Sequence, residues 1–414
     1  MASTWLDPVG GKADPECGIV NCPPGRLAAA RVAARRCLRV NRARLPWYAV
    51  RVSSPQAPAA AAPGLSRVIA DTDPRGLPQG DGPLARWAAG LIRDPRDLPF
   101  LALMAQATLV LLPFAAALYV SFRWWLAPIY LAVNFFVFLD RFILMLHNTS
   151  HRELFKPRYR LLNRYIPWVL GPFFGESPDT YYSHHLGMHH PENNLEEDLS
   201  STMPFRRDRI DHFLVYFFRF FFIGLVECSI YLWTHGRRLL CRRMLVGEIT
   251  FLAALGLLLH WSFRPTLVVF VIPFVAVRFL MMAGNWGQHA FIDAARPENS
   301  YANSITCINS RYNRRCFNDG YHIGHHLKAN RHWSEMPGEF HDNLETYARE
   351  GAIVFEKIDF FMVWLFLMLR QYKLLARHYV NLDGQARSQD EIVALLRGRT
   401  GRVVRTQGAV QAAA

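Results

Sequence analysis

Long uncharged stretches limit the folds open to this 414-residue chain. Residues 100–120 contain no charged side chain, and 21 residues are enough for a helix to cross the hydrocarbon core of a bilayer. Trp124 and Trp125 follow, where aromatic side chains are typical of a membrane interface. Further spans are predicted at residues 126–146, 244–261 and 266–283. The sequence therefore predicts an all-α integral membrane fold with four transmembrane helices in two hairpins.

Three other apolar stretches are interrupted by residues that disfavour a span. Two prolines and a glycine fall within residues 165–174, Arg219 and Glu227 fall within residues 213–233, and charges open residues 352–369. We interpret all three as helices that lie in the membrane interface or pack in a cap. The alternative is an arrangement with six spans.

The ends of the chain differ in composition from its middle. Residues 17–70 contain no acidic side chain and nine arginines, and organelle transit peptides share this bias. We expect residues 1–75 to be a targeting leader or, alternatively, a disordered tail, with the folded part beginning near residue 80. The predicted membrane domain covers residues 80–375, and a polar C-terminal tail covers residues 376–414.

Nine histidines fall into clusters beside the apolar stretches. Histidines three or four apart on a helix share one face, so each cluster can direct its rings to one point. A single such pair more often consists of polar residues of the surface or core than of metal ligands. Three clusters favour metal binding, and nine imidazoles suit two ions. Cluster one is His147 and His151, cluster two is His185, His189 and His190, cluster three is His322, His325 and His326, and a separate pair is Asn285 and His289.

The predicted spans place all the clusters at one face of the membrane. The loops on that face carry many arginines, whereas the opposite loops carry only Arg123 and Arg264. By the positive-inside rule, this face lies in the cytosol or its organellar equivalent. The sequence thus predicts a histidine-rich helical cap on the cytosolic or stromal side.

The charge distribution and the cysteines indicate which partners and which compartment to expect. The net charge of +14 is dispersed and lacks interleaved aromatic side chains, so we expect no nucleic-acid partner. The seven cysteines form no CxxC pair and are odd in number, which predicts free thiols in a reducing compartment.

With these motifs, residues 95–335 resemble the membrane-bound fatty acid desaturase superfamily, which includes lipid and carotenoid hydroxylases and ketolases. The three clusters fit its HxxxH, HxxxHH and HxxHH patterns in order, and Asn285 with His289 is similar to the extra pair of acyl-CoA desaturases. The resemblance implies four spans, a cytosolic cap and a non-haem di-iron centre. The nine histidines would be ligands to two iron ions, Asn285 would act through a water, and O₂ would be the co-substrate.

The resemblance also implies a reaction and its partners. We expect a fatty acid desaturase that acts on a membrane lipid or acyl substrate, either acyl-lipid or acyl-CoA. The alternatives are a lipid or carotenoid hydroxylase or ketolase and, further away, a non-enzymatic metal-binding membrane protein or a zinc hydrolase. The sequence contains no HPGG haem-binding signature, so no fused haem domain is expected. Electrons would come from an external ferredoxin or cytochrome b5, in a chloroplast membrane or otherwise the endoplasmic reticulum.

Several polar residues near the clusters are candidates for orienting the imidazoles. We also expect Asp140 and Arg278, at similar depth in spans two and four, to form an ion pair, and His332 and His341 to lie on the surface. The orienting candidates are His184, Asp319, Asp140, Glu192, Glu196, Glu197 and Asp198.

Overall fold

The structure, a computed structural model, describes residues 69–70, 72–76, 80, 82–406 and 409–413, with only the backbone described from residue 404 onward. The helices are α1 (Pro83–Leu91), α2 (Pro95–Val120), α3 (Leu126–His151), α4 (Thr180–His184), α5 (Ile210–Thr234), α6 (Arg238–Trp261), α7 (Phe263–Gln288), α8 (Ser300–Asn303), α9 (Arg311–Arg315), α10 (His322–Leu327), α11 (Met336–Asp342), α12 (Leu344–Arg349), α13 (Phe360–Met368), α14 (Tyr372–His378) and α15 (Gln389–Gly398). The strands are β1 (Ile305–Ile308), β2 (Ile353–Glu356), β3 (Arg402–Thr406) and β4 (Ala409–Ala413).

Five helices of the described part are long and apolar enough to cross a membrane: α2, α3, α5, α6 and α7. Four of them contain the four predicted spans, so those helices are confirmed. The fifth, α5, covers the interrupted stretch at residues 213–233. The arrangement of four spans in two hairpins stays a prediction, because length and composition alone do not show which helices cross.

Two small sheets accompany the helices, so the fold is mostly but not entirely α-helical. β1 pairs in parallel with β2, in a register that places Ile305 opposite Ile353, and both side chains are buried. β2 occupies the first part of the stretch at residues 352–369 that we predicted to be a helix, and α13 occupies a later part. β3 and β4 form an antiparallel pair near the C-terminus.

The segment Tyr165–Phe174 lies among the long helices. The Tyr165 hydroxyl is 2.8 Å from that of Thr108, in the middle of α2, and Asn134 of α3 donates to the Phe173 carbonyl oxygen at 2.8 Å. The interpretation of this segment as an interfacial or cap-packing helix stays a prediction, because these contacts show that it packs on α2 and α3 but not how deep it lies in a membrane.

The predicted ion pair between Asp140 and Arg278 is wrong. Asp140 pairs with Arg315 of α9, and Arg278 donates to Ser177 at 3.0 Å and lies 3.6 Å from Glu248. A position seven residues before a cluster predicts how far along the helix a side chain lies, but the side of the helix from which it projects decides its partner.

Both ends of the described chain pack against the cap, which we define as the short helices and strands from α8 to α14. Asp73 is 5% exposed, so the folded part begins before residue 80, whereas most of the predicted leader lies outside the described residues. In the predicted C-terminal tail, α15 buries Leu396 against the hydrophobic cluster that contains α13 and α14. The buried Arg207 guanidinium donates to the carbonyl oxygens of Arg399 at 3.0 Å and Ala290 at 2.9 Å, which holds the tail against the end of α7.

Candidate metal centre

The nine clustered histidines meet at one end of the long helices and form two groups. Within each group, every residue offers one ring nitrogen, and these nitrogens lie within 4.8 Å of one another. The five-histidine group is His147, His151, His185, His190 and His325, and the four-histidine group is His189, His289, His322 and His326.

In the five-histidine group, the Nε2 atoms form a chain of short distances. His147 is 2.9 Å from His325, which is 3.0 Å from His190. His190 in turn is 3.0 Å from His185, which is 2.9 Å from His151. In the four-histidine group, Nε2 of His322 lies 3.2 Å from that of His289 and 3.0 Å from that of His326.

These distances fit metal ions as the shared partner of the rings. A metal–nitrogen bond of about 2.1 Å places ligands at right angles about 3.0 Å apart, which is the separation observed along both groups. A set of five and four imidazole nitrogens also suits a transition metal rather than magnesium or calcium, which prefer oxygen ligands.

A change of helical pitch divides cluster two between the groups. In an α-helix, His185 and His189 would share a face, because residues four apart lie on one side. The chain beyond α4 instead forms a π-helical turn over His185–His189, which aligns residues five apart. His185 and His190 therefore enter the five-histidine group together, and His189 enters the other.

Cluster three follows the same scheme with ordinary α-helical pitch. His322 and His326 are four residues apart on α10 and share the four-histidine group, while His325 joins the five-histidine group. In both clusters the first and last histidines share one group, and the histidine before the last belongs to the other.

Burial keeps several of these rings in the neutral form that binds metal. It is the main cause that lowers the pKa of His289 to about 3, with the neighbouring His189 ring as the second cause. Burial and adjacent imidazoles likewise hold the pKa values of His185, His190 and His322 well below the ordinary histidine range. At neutral pH these nitrogens can therefore bind a cation without first losing a proton.

Three rings have their proton placed by an acceptor on the far side. The Nδ1 atom of His147 is 3.2 Å from Asp319 Oδ1, that of His189 is 2.8 Å from Asp198 Oδ2, and that of His289 is 2.9 Å from the Asn303 carbonyl oxygen. A carboxylate or carbonyl oxygen only accepts, so Nδ1 carries the proton in each ring. The opposite nitrogen, Nε2, then points its lone pair into the group.

The family model for fatty acid desaturases matches residues 122–357, which is more than half of the chain and includes all nine histidines. The chain belongs to the fatty acid desaturase family. No curated protein and no solved structure matches it.

For this desaturase-family protein, the structure separates the predicted orienting residues. Asp198 and Asp319 contact ring nitrogens of the two groups. Glu192 instead accepts from the Tyr231 hydroxyl, and Glu197 pairs with the exposed His235 at 3.0 Å. Asp140, as described above, pairs with Arg315.

Two further predicted residues lie beside the groups rather than within them. The Asn285 amide donates to the Ser200 carbonyl oxygen at 2.8 Å and to the Tyr216 hydroxyl at 2.7 Å, so its contact with a metal through water stays a prediction. The His184 ring stacks 6.4 Å from that of His189, and its Nε2 atom is buried without a hydrogen-bond partner.

The prediction that His332 lies on the surface is wrong. His332 is 2% exposed, its Nε2 atom lies 3.0 Å from Asp97 Oδ1, and Trp333 Nε1 donates to the same oxygen at 3.0 Å. These contacts tie the chain after cluster three to the first turn of α2. The sequence carried no signal for this, because Asp97 and His332 are 235 residues apart.

An apolar cleft lies between α3, α5 and α7. Its volume is about 490 Å³, large enough for part of an alkyl chain. Leu139 is eight residues before His147, which places the cleft about 12 Å from the metal-binding end of α3. Its lining residues are Phe135, Phe136, Leu139, Phe217, Val275, Ala276, Phe279 and Leu280.

Proposed function

We propose that this member of the family is an O₂-dependent desaturase that introduces a double bond into a fatty acyl chain. The observation that carries the proposal is the division of nine buried histidines into groups of five and four, with neighbouring Nε2 atoms 2.9 to 3.2 Å apart. The groups would hold one iron ion each.

The two iron ions, when bound, supply the activation of O₂ that an unactivated methylene requires. The overall change converts –CH₂–CH₂– and O₂, with two electrons and two protons from a donor, into –CH=CH– and two molecules of water. The chain's own part is to hold neutral imidazoles in place and to keep water from the reacting carbons. Asp198, Asp319 and the Asn303 carbonyl fix the ring orientation that this requires.

The apolar cleft supports an acyl substrate. Its lining is almost entirely hydrocarbon and aromatic, which suits an alkyl chain and disfavours a polar molecule. The cleft is formed in part by α3 and α7, the helices that carry cluster one and Asn285, so an acyl chain in it would contact the same helices as the histidine groups.

The positions of the histidines support the arrangement of four spans. Three long helices, α5 to α7, separate His189 from His289, yet the two rings are 5.5 Å apart. Three complete crossings would place them on opposite sides of the membrane. Tyr216, near the start of α5, accepts from Asn285, and Leu232, near its end, packs beside Gly187 of cluster two. We therefore propose that α5 lies along the metal-side face and that α6 and α7 form a hairpin.

The charge of the proposed metal side supports an external electron donor at a membrane. Exposed arginines at positions 158, 160, 238 and 242 lie in or next to the loops of the proposed metal side. Ferredoxins and cytochrome b5 are acidic, so this face would attract either of them. We propose a chloroplast membrane with ferredoxin or, alternatively, the endoplasmic reticulum with cytochrome b5.

Mass spectrometry of lipids tests the proposal. The chain would be expressed with each donor in turn, and its iron content measured after purification. A new acyl species lighter by two hydrogens, absent when His325 and His326 are both replaced by alanine, is the expected result. His235→Ala, a change at an exposed histidine outside both groups, is the matched control and should retain activity.

Other outcomes would redirect or overturn the proposal. A product heavier by one oxygen would make the protein a hydroxylase with the same metal centre. Purified protein that binds zinc rather than iron, and that consumes no O₂ with either donor, would refute a di-iron oxygenase altogether.

A further inference from the structure

A short N-terminal segment packs against the turn that leads into cluster three. The segment consists of residues 69–70 and 72–76, and the turn is residues 309–321, between β1 and α10. Ile69 packs against the hydrophobic cluster that contains Tyr321 and Ile323. Segment and turn are more than 230 residues apart in sequence, so this contact belongs to the tertiary structure.

The Asp73 carboxylate is the centre of the contact. Its Oδ2 atom accepts from the Asn309 backbone N–H at 2.7 Å, from the Asn313 amide at 2.6 Å and from the Tyr321 hydroxyl at 2.8 Å. Three donors from separate parts of the turn thus converge on one oxygen. Hydrogen bonds to an ionised acceptor are about twice as strong as neutral ones, and this carboxylate is buried.

Backbone oxygens of the segment accept hydrogen bonds from the side-chain amides of two asparagines of the turn. The Asn309 amide donates to the Ala70 carbonyl oxygen at 2.7 Å, and the Asn318 amide donates to that of Pro74 at 2.7 Å. Asn309 Oδ1 also accepts from the Thr72 N–H at 2.8 Å. Asn309 and Asn318 both have positive φ, at 55° and 54°, a backbone conformation that asparagine adopts more readily than most residues.

Asn313, one of the three residues that contact Asp73, also forms hydrogen bonds within the turn. Asn313 Oδ1 accepts from the Gly320 N–H at 2.9 Å, and the Asn313 amide donates to the Cys307 carbonyl oxygen at 2.9 Å. A Cβ on Gly320 would collide with the Cys307 oxygen and the Asn313 side chain, so the backbone passes here without spare room. A shift of Asn313 would therefore move Gly320 and its neighbours.

Those neighbours reach both histidine groups. Asp319, next to Gly320, contacts the ring of His147 in the five-histidine group. Tyr321, which binds Asp73 directly, precedes His322 of the four-histidine group.

We propose that Asp73 is a positioning residue for the metal centre: it fixes the turn that sets Asp319 and His322. Asp73 belongs to a stretch that composition alone assigns to a leader, and it acts through Asn313 and Tyr321 rather than by touching a metal. The inference rests on the proposed function only in requiring that the histidine groups bind iron. It is independent of whether the product is an alkene or an alcohol.

Iron release tests this role in the full chain. Wild type, Asp73→Ala and Glu350→Ala would be loaded with Fe²⁺, and the rate of iron loss to a chelator measured well below the unfolding temperature. Glu350 is the matched control, because it accepts from Arg296 at 2.9 Å and Asn299 at 2.8 Å in another part of the cap. Asp73→Ala should release iron about tenfold faster, the lower end for residues that orient metal ligands, and should alter the Mössbauer spectrum.

The outcomes separate this inference from the proposed function. Wild-type protein that binds no iron would overturn both. Iron loss and spectra alike in wild type, Asp73→Ala and Glu350→Ala would overturn the positioning role alone. If Asp73→Ala does not accumulate, Asp73→Asn and Tyr321→Phe replace it in the test, since each weakens the contact with little change of shape. Both variants should release iron faster than wild type. Wild-type rates of iron release in both variants would refute the positioning role.

Discussion

Replacing Asp198 with asparagine should loosen the hold of His189 on its metal ion. Both oxygens of Asp198 act only as acceptors: Oδ2 faces His189 and the Asn194 N–H at 3.1 Å, and Oδ1 faces the Ser200 N–H at 2.9 Å and hydroxyl at 2.6 Å. An asparagine must turn its NH₂ group towards one of these sets of donors. If it faces His189, it favours a proton on Nε2, the nitrogen that points into the four-histidine group.

The expected size of the effect follows from the burial of the pair. The Asp198 side chain is 0% exposed and that of His189 is 5% exposed, so water cannot replace the lost bond. Burial alone would raise the pKa of Asp198, but the His189 ring and the Ser200 hydroxyl hold that pKa well below its usual range. Loss of such an orienting group weakens metal affinity about 10- to 100-fold, which corresponds to about 1.4 to 2.7 kcal/mol.

The assay is iron retention by purified protein dialysed against a graded series of chelator concentrations. The matched control is Glu197→Gln, which removes an exposed carboxylate from the same loop. Asp198→Asn should lose iron at about 10- to 100-fold lower chelator concentration than either the control or wild type. Retention of both irons at the control's chelator concentration would refute the role of Asp198 in orienting His189.

Three further changes test other parts of the structure. His332→Leu should destabilise the protein by about 1 to 3 kcal/mol, because it removes one partner of the buried Asp97, and an unchanged thermal midpoint would contradict this. In double-mutant cycles of unfolding, Asp140→Asn and Arg315→Gln should show a coupling energy of about 0.2 to 1 kcal/mol, because the pair is partly exposed. The effects of Asp140→Asn and Arg278→Gln on the free energy of unfolding should instead be additive. The reverse pattern would support an ion pair between Asp140 and Arg278. Burial raises the pKa of Glu176 from 4.5 to about 7. Between these two pH values the native state binds more protons than the unfolded state, so the free energy of unfolding should fall by about 3 kcal/mol as the pH rises from 4.5 to about 7. Glu176→Gln should remove that dependence, and equal pH slopes in the two proteins would count against it.

The long helices and the meeting of the nine histidines were predictable from the sequence, whereas the direction of individual side chains and the division into groups of five and four were not. The length of the uncharged stretches predicted four of the five long helices, and the spacing of the clusters predicted which nine histidines would meet. Asp140 shows the limit: its depth was predicted, but its partner, Arg315, comes from a turn of the cap. Asp198 could not be told from Glu196 and Glu197 on the same loop, because burial decides between them.

Contacts over long sequence separations were also beyond prediction. Asp97 reaches His332, and Asp73 reaches Tyr321, through backbone paths of more than 230 residues. The partners of Tyr165 and Phe173 on α2 and α3 were likewise not predictable, because these helices are distant from them in sequence.

The π-helical turn of cluster two has a consequence for how such a centre can vary. Cluster two carries one more residue between its first and last histidines than cluster three, yet both distribute their histidines in the same way. The additional residue is absorbed as a wider turn and leaves the ligand assignment untouched. HxxxHH with a π-helical turn and HxxHH with α-helical pitch thus follow one spatial rule, which sends the first and last histidines to one group and the remaining one to the other.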